Sequence, residues 1–455
     1  MSASQLNSVE KRAAVSLASV FAFRMLGLFM LMPVLAIYGQ ELSGFSPMWI
    51  GLAIGAYGLT QALLQIPMGW LSDRFGRKRI IIAGLIVFAI GSVVAALAES
   101  MYMLTFGRAL QGMGAIASAL LALAADLSRD EQRPKVMAVI GMSIGMSFAI
   151  AMLMGPMIAA SHGVAGVFWL TAALALVGIG IVIWFVPNAV RRAPKGETSV
   201  TLADVGKLVR NSDLARLDLG VLFLHLTLTT IFVSLPMQLI SDGLAADKHW
   251  QLYIPVFILS FVLMVPMMIF AVAKQKEKPL FLAAILMLIV SMLGLVAGAN
   301  SVYLIAVCMV IYFVAFNFLE ATMPALVSRQ SPANQKGSAM GVFSSSQFLG
   351  AFLGGILGGF VAQRTSPEMV FAAAAMVGVI WFVIAVKMRV PPRSKIISLL
   401  SEVSSERDAQ QLAARLVELP GVLEATVVCD ENRSYLKVDD KKFDLKTAQQ
   451  LVVSA

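Results

Sequence analysis

The sequence predicts an all-α membrane protein, with twelve transmembrane helices in two six-helix bundles and a small C-terminal α/β domain of ferredoxin-like type. Three observations carry this expectation. Of 455 residues, 59% are hydrophobic and only 13% charged, whereas a soluble domain carries about a quarter charged residues. Apolar segments long enough to cross a bilayer, which takes about 20 residues, recur along the first 390 positions. After Pro391-Pro392 the composition turns abruptly polar.

The apolar segments run approximately over 13–38, 50–72, 80–98, 103–127, 135–160 and 166–187. After a polar stretch they resume over 217–240, 250–273, 279–298, 303–327, 335–362 and 368–388. The first run is too long for a signal-peptide core and lacks a clear small-residue cleavage site, so it reads as a retained helix. The expected domains are therefore a bundle over 1–187, a linker over 188–216, a second bundle over 217–390 and a soluble domain over 394–455.

Lys and Arg set the expected orientation. With the N-terminus inside, one set of loops holds Arg74, Arg77, Lys78, Arg79, Arg129, Arg133 and Lys135, then the linker's cations, then Lys274, Lys276, Lys278, Arg329 and Lys336. The opposite loops hold only Lys248 and Arg364. The positive-inside rule then puts both termini in the cytoplasm. The net charge of +9 follows this sidedness, so no nucleic-acid partner is expected. In the linker, Leu202, Val205, Leu208 and Val209 recur at helical spacing among charges, which suits an amphipathic helix on the membrane surface or a plain tether.

Several chemistries are not expected. Cys308 and Cys429 stand far apart without CxxC spacing, and His162, His225 and His249 are scattered, so neither a disulfide framework nor a metal site is indicated. No nucleophile–base set is visible, and the expectation is a protein that is not an enzyme and needs no cofactor.

The loop after the second span reads Gly69-Trp70-Leu71-Ser72-Asp73-Arg74-Phe75-Gly76-Arg77-Lys78. Gly69 lets the second helix lie close to a neighbour. Gly76 permits a tight turn. Asp73 suits a helix N-terminus, whose partial positive charge favours a carboxylate. Arg77 is expected to pair with Asp126 at the end of the fourth span, with Arg74, Lys78 and Arg129 as alternative partners of Asp126. This loop resembles the GxxxDRxGRR/K motif of the major facilitator superfamily. The resemblance implies that the helix facing Asp73 is the eleventh, from about Lys336 to Met340, and that the cluster latches two halves together. The matching loop of the second half, "AVAKQKEKP", lacks the pattern, so the expected latch is asymmetric. "SRDEQRPKVMAV" and "SRQSPANQKGSAMGV" open the fifth and eleventh spans alike, as a six-plus-six duplication would.

Two further motifs extend the likeness. Arg108-Ala109-Leu110-Gln111-Gly112-Met113-Gly114-Ala115 resembles the RxxQGxGA motif of proton-coupled members; a structural arginine held by backbone carbonyls is the other reading. Gly155-Pro156, after Gly141 and Gly145, resembles the glycine-rich motif of drug/proton antiporters, though Ala151 stands where glycine is expected; a packing kink explains it equally well.

Helices one, four, seven and ten line the cavity in this superfamily, and each carries a mid-span ionisable residue: Arg24, Arg108, His225 and Glu320. Charge inside a membrane is costly and usually functional, and His and Glu are side chains that can exchange a proton. Packing would also account for His225, and a hydrogen bond to Asn317 for Glu320. The resemblance as a whole implies a multi-pass transporter of the bacterial inner membrane. It would move a small lipophilic or amphipathic substrate outward in exchange for protons. Uptake symport, or a membrane sensor signalling through its tail, are the alternatives.

The tail is expected to run β-α-β-β-α: a strand at 395–401, a helix opened by Ser405 and Asp408, strands at Val422–Val428 and Tyr435–Val438, and a helix from Asp444 through Val453. Its "LPGV" turn resembles heavy-metal-associated and ligand-sensing domains, but the CxxC loop is missing and metal binding is not carried over. A regulatory ligand or self-association is the expected role of this domain.

Overall fold

The protein, seen here as a computed structural model, is described over residues 6–129, 132–188, 202–297, 301–332, 335–389, 395–401, 403, 405–429, 432–439 and 442–453. The Pro391-Pro392 boundary, residues 189–201 of the linker and the Asp430 turn lie outside these residues.

The first helix, α1 (Ser8–Phe29), starts at a reciprocal capping box in which Asn7 and Glu10 each accept the other's backbone N–H. The first span then breaks at Met30 and resumes as α2 (Leu35–Tyr38). The second and third spans are α3 (Pro47–Phe75) and α4 (Arg77–Ala96). The fourth is split into α5 (Met101–Met113) and α6 (Ala117–Asp126). The break falls at Gly114, where a Cβ would lie 2.4 Å from the carbonyl oxygen of Gly84 on α4; close helix contact, not a proline, opens this helix.

The fifth and sixth spans appear as one element, α7 (Arg133–Trp184), with non-helical Gly163 inside it at φ +62°. A straight helix of that length would reach about 75 Å, far beyond the ~30 Å hydrocarbon core. Gly163 supplies the left-handed backbone that turns the chain back. Among the described residues eleven helices are long and apolar enough to cross a membrane, and this one contains two crossings.

After α8 (Leu202–Arg210), the second half runs α9 (Ser212–Ser241), α10 (His249–Ala273), α11 (Glu277–Ala297), α12 (Val302–Gln330), α13 (Lys336–Arg364) and α14 (Pro367–Val386). In α8, Leu208 is buried in the second-half core, whereas Val209, which the linker sequence placed with the apolar residues, is exposed beside Arg210.

Helix α13 is the seam between the halves. On one side Gly350 and Gly354 are so close to α9 that added Cβ atoms would lie 2.1 and 2.2 Å from the carbonyls of Leu222 and Leu226. On the other, Gly355 and Gly359 meet α3 at Gly51 and Pro47. Two four-residue glycine spacings thus give one helix two faces of backbone contact, the small-xxx-small packing of membrane helices. Aromatic contact adds to the joint: Phe148 of α7 sits edge-on to Phe257 of α10, with ring centres 5.2 Å apart.

The tail folds as β1 (Lys395–Leu400), α15 (Glu406–Val417), β2 (Val422–Val428), β3 (Arg433–Val438) and α16 (Leu445–Val453). Its antiparallel sheet has the order β1-β3-β2, with a register shift at Val422/Glu424. Leu399, Leu412, Leu416, Leu436, Val438 and Ala448 form its core. This is the small α/β domain expected. Ser405 accepts the Asp408 N–H at the start of α15. Asp444 accepts the Lys446 N–H and the Thr447 hydroxyl at the start of α16, and these bonds hold its carboxyl below the ordinary aspartate range. On the sheet face away from that core, Tyr435 is fully buried and Lys437 donates to the Ser331 carbonyl at the end of α12 (3.4 Å).

The seam predicts a sharp contrast. Gly51→Ala drives a Cβ to 1.9 Å from the Gly355 oxygen, and overpacking of this kind costs roughly 1–3 kcal/mol. Gly141 has nothing within 4 Å of its Cβ position, so Gly141→Ala is expected to be neutral or slightly stabilising. Melting of the two purified variants beside the parent checks both; equal melting temperatures would contradict the seam.

Candidate functional site

Three polar groupings stand out against the apolar helices. The first surrounds the α3–α4 turn. Gly76 adopts φ +97°, which side-chain-bearing residues resist, and the turn brings Arg77 back over the end of α3. Arg77 donates from Nε to Asp126 Oδ2 (2.5 Å) and lies 2.9 Å from Asp73 through Nη1, with Ser72 Oγ also in reach. One guanidinium therefore joins both carboxylates, and Arg77 and Asp126 are almost wholly enclosed. Gly69 allows α3 to pack on α6, where an added Cβ would lie 3.2 Å from Ser118 Oγ.

The other loop cations have contacts of their own. Lys78 donates to the Val186 carbonyl, Arg12 caps the carbonyls of Trp184 and Phe185, and Arg129 pairs with Glu10 at 2.8 Å. Cations on the last carbonyls of a helix complement its negative end. Arg74 is exposed over the rings of Trp70 and Phe75. Asp126 thus pairs with Arg77, as the loop position suggested. Asp73 meets Arg77 on its own loop, with a guanidinium nitrogen 2.9 Å from its carboxylate, a charge-assisted contact.

The second half holds a counterpart that its loop sequence concealed. Glu277, first residue of α11, meets Arg329 near the end of α12 at 2.5 Å. These positions match Arg77 at the start of α4 and Asp126 at the end of α6, with the signs exchanged. The pattern is asymmetric in charge, but an ion pair persists. A charge at the start of one span and its opposite at the end of the next is the signal in the sequence; a repeated motif is not.

The second grouping fills the first bundle. Arg24 and Arg108 are each 1% exposed. Arg24 Nη2 donates to Gln61 Oε1 and Gln61 to Gln65. Arg108 donates to the Ala53 carbonyl (3.2 Å) and to Gln111 (2.7 Å), which in turn donates to Ser92. Both guanidinia lie within 6 Å of the Tyr57 ring, Arg108 at 5.0 Å, a cation–π distance. Arg108 is thus held by a backbone carbonyl, as the structural reading allowed, and by its own motif's glutamine.

The third grouping lies in the second bundle. Gln347 of α13 donates from Nε2 to Glu320 Oε1 (3.1 Å) and stands 2.8 Å from His225 Nε2. His225 Nε2 then accepts, and its Nδ1–H donates to the Val221 carbonyl at 3.1 Å. His225 and Glu320 themselves are 3.8 Å apart. Asn317 does not serve Glu320; it donates to Ser260 of α10 instead, because residues three apart on α12 are drawn to different neighbouring helices. The four mid-span residues therefore form two sets, Arg24 with Arg108 and His225 with Glu320. Gln347 escapes a hydropathy reading, since an amide carries no charge signal. Asp218, only 9% exposed near the start of α9, escapes it because it sits at the edge of its span.

Gly155 proves to be a contact residue: its Cβ position lies 2.5 Å from the Met30 carbonyl, where α1 ends. Pro156 follows inside α7. Among the described residues no three metal-ligating side chains cluster.

Comparisons with known proteins agree with this architecture. The family model for the Major Facilitator Superfamily matches residues 17–276 and 217–411. The chain is 42% identical over 443 residues to the inner membrane transport protein YajR of Escherichia coli K12, covering 96% of this chain and 97% of that one. It is 24% identical over 364 residues to multidrug resistance protein 2 of Bacillus subtilis, covering 77% and 89%. Among solved structures, the nucleoside transporter NupG superposes with a TM-score of 0.66 at 16% identity, over 83% of this chain and 99% of that one.

The buried pair yields a prediction. Asp126→Asn leaves Arg77 with one of its two carboxylates, that of Asp73, and is expected to destabilise the protein by up to roughly 3–5 kcal/mol, the scale for breaking a buried ion pair. In a double-mutant cycle with Arg77→Gln, melting should give a coupling of about 0.5 kcal/mol or more, the lower limit for contacting residues. Additive losses would mean that the two side chains act independently.

Proposed function

The chain belongs to the major facilitator superfamily of membrane transporters, and from that premise we propose that it is a proton-coupled exporter of a small lipophilic or amphipathic compound. On this reading it is a multi-pass protein of the bacterial inner membrane, and both termini are cytoplasmic.

The observation that carries the proton coupling is the His225–Gln347–Glu320 network within the spans. As arranged, the Gln347 amide nitrogen faces His225 Nε2, which accepts from it. A proton arriving at Nε2 turns that acceptor into a donor, which the Gln347 NH2 group can no longer face. The amide must then turn, and the imidazolium gains Glu320 as its nearest anion. Loading a proton thereby changes the contacts that α13 makes with α9 and α12. Since α13 also forms the seam with α3, this exchange is positioned to favour one arrangement of the two halves over the other. Arg108 adds a fixed positive charge across the seam.

In the same reading, Asp73, Arg77 and Asp126 form the latch on the inner side, with Gly69, Gly76, Arg74 and Lys78 shaping its loop. Glu277–Arg329 is its counterpart in the second half. Gly155-Pro156 acts by packing α7 on α1. The name of the Bacillus relative supports a drug-like substrate. Uptake symport would use the same residues with the opposite direction of flux.

Two outcomes are expected. In proteoliposomes with an imposed pH gradient, Glu320→Gln should abolish substrate-dependent proton movement while ligand binding falls less than threefold, about 0.6 kcal/mol. Equal loss of both would make Glu320 structural. Deleting 394–455 should leave a membrane-inserted, monodisperse protein, because the tail has an apolar core of its own and meets the end of α12 through the polar Lys437–Ser331 hydrogen bond. Aggregation of the truncated protein in detergent would make the tail part of the transmembrane fold.

A further inference from the structure

The first bundle contains a cation that its own half leaves short of partners. Arg24 is fully enclosed, yet only its Nη2 has an acceptor, Gln61; Nε and Nη1 have none. The Tyr57 hydroxyl is likewise buried without a partner. The acids that the structure describes in this half are engaged or distant. Glu10 pairs with Arg129, Asp73 and Asp126 pair with Arg77, and Glu41 and Glu99 stand in the connections between spans. Arg108, the neighbouring cation, is held by the neutral Ala53 carbonyl and Gln111 amide.

Leaving N–H donors of a charged group unmet in a low-dielectric interior is costly. Such a group calls for a specific explanation. Ring faces of Tyr57 and Phe88 lie 5.8 Å from the Arg24 carbon Cζ and attract the cation, but they accept no conventional hydrogen bond. What the arrangement lacks is an anionic acceptor.

We propose that Arg24, with the Tyr57 hydroxyl, is a binding site for the carboxylate of the transported compound, which is then an amphipathic organic anion. The proposal deepens the transport reading above and rests on it. Tyr57 marks the way in. It stands on α3 at the seam, its ring edge-on to Phe348 of α13 at 6.2 Å, so parting of the two halves opens a path beside it. Tyr57, Phe88 and Phe348 offer apolar contact to the body of the ligand. Arg24 and the hydroxyl donate to its head. The second bundle, with Glu320 beside the seam helix, repels the same head, so an anion is drawn to the first-half side of the interface.

The test is a melting titration of the purified full-length protein in uncharged detergent, using benzoate as probe, benzamide as its neutral isostere and chloride as an inorganic anion. Benzoate is expected to raise the melting temperature saturably, with benzamide and chloride having little effect. Arg24→Gln should remove the response. Tyr57→Phe deletes one unpartnered hydroxyl and should weaken apparent affinity by about tenfold, the scale of one hydrogen bond to a charged group. If Arg24→Gln does not fold, Tyr57→Phe decides. An equal response to benzamide, no response to benzoate, or a response unchanged in these variants would overturn the site. A response to chloride that competes with benzoate would overturn the substrate assignment and leave an inorganic anion site. Binding is read here without transport. Failure of proton movement in proteoliposomes would therefore sink the transport reading alone, and failure of benzoate binding would sink the substrate class alone.

Discussion

The contact of α13 with its two neighbours governs the rest of this molecule. Gly350 and Gly354 bring it against the carbonyls of α9, and Gly355 and Gly359 bring it against α3. Lipid tails are as apolar as the helices, so helix association in a membrane relies on close packing and hydrogen bonds more than on hydrophobic exclusion. Only residues without a side chain allow backbone to approach backbone at this distance. One helix with glycine on two faces can therefore be shared by both bundles.

The polar groupings follow from that seam. Gln347 and Phe348 lie on α13 just before the glycine run. The first reaches His225 and Glu320, and the second reaches Tyr57. Tyr57 in turn stands beside Arg24 and Arg108. Titratable groups on one side and fixed cations on the other are thus linked to a single helix–helix joint. Both sets therefore touch contacts that hold the halves together. Coupling between distant sites requires such a shared element with more than one arrangement.

Charge placement obeys a common rule at the ends of the spans. Arg12 and Lys78 meet the last carbonyls of α7 and the residues just beyond it, Glu10 meets Arg129, Arg77 joins Asp73 and Asp126, and Glu277 meets Arg329. These loop charges, which the orientation rule treats as a simple count, are individually partnered in the folded chain. The sign exchange between Arg77–Asp126 and Glu277–Arg329 shows why residue identity conceals the relation: a Coulombic pair is unchanged in energy when its two signs are swapped.

Much was legible in the sequence because it depends on local physics. Span positions follow from hydropathy and length, the Gly76 turn from backbone freedom, and the tail's strands and helix starts from alternation and capping residues. The Arg77–Asp126 pair could also be anticipated, since both residues end short connections at the same side of neighbouring helices. What tertiary structure alone decided was partner choice. Asp73 joined Asp126 on one guanidinium, Asn317 turned to Ser260 and not to Glu320, and the four mid-span ionisable residues separated into two sets. Gln347 entered the second set as an amide, with no charge to betray it. Each outcome depends on which atoms come within about 3 Å, the reach of a hydrogen bond, and the rotation and crossing of packed helices sets that distance. Hydropathy and periodicity record which face of a helix is apolar, but not the neighbour that face will meet.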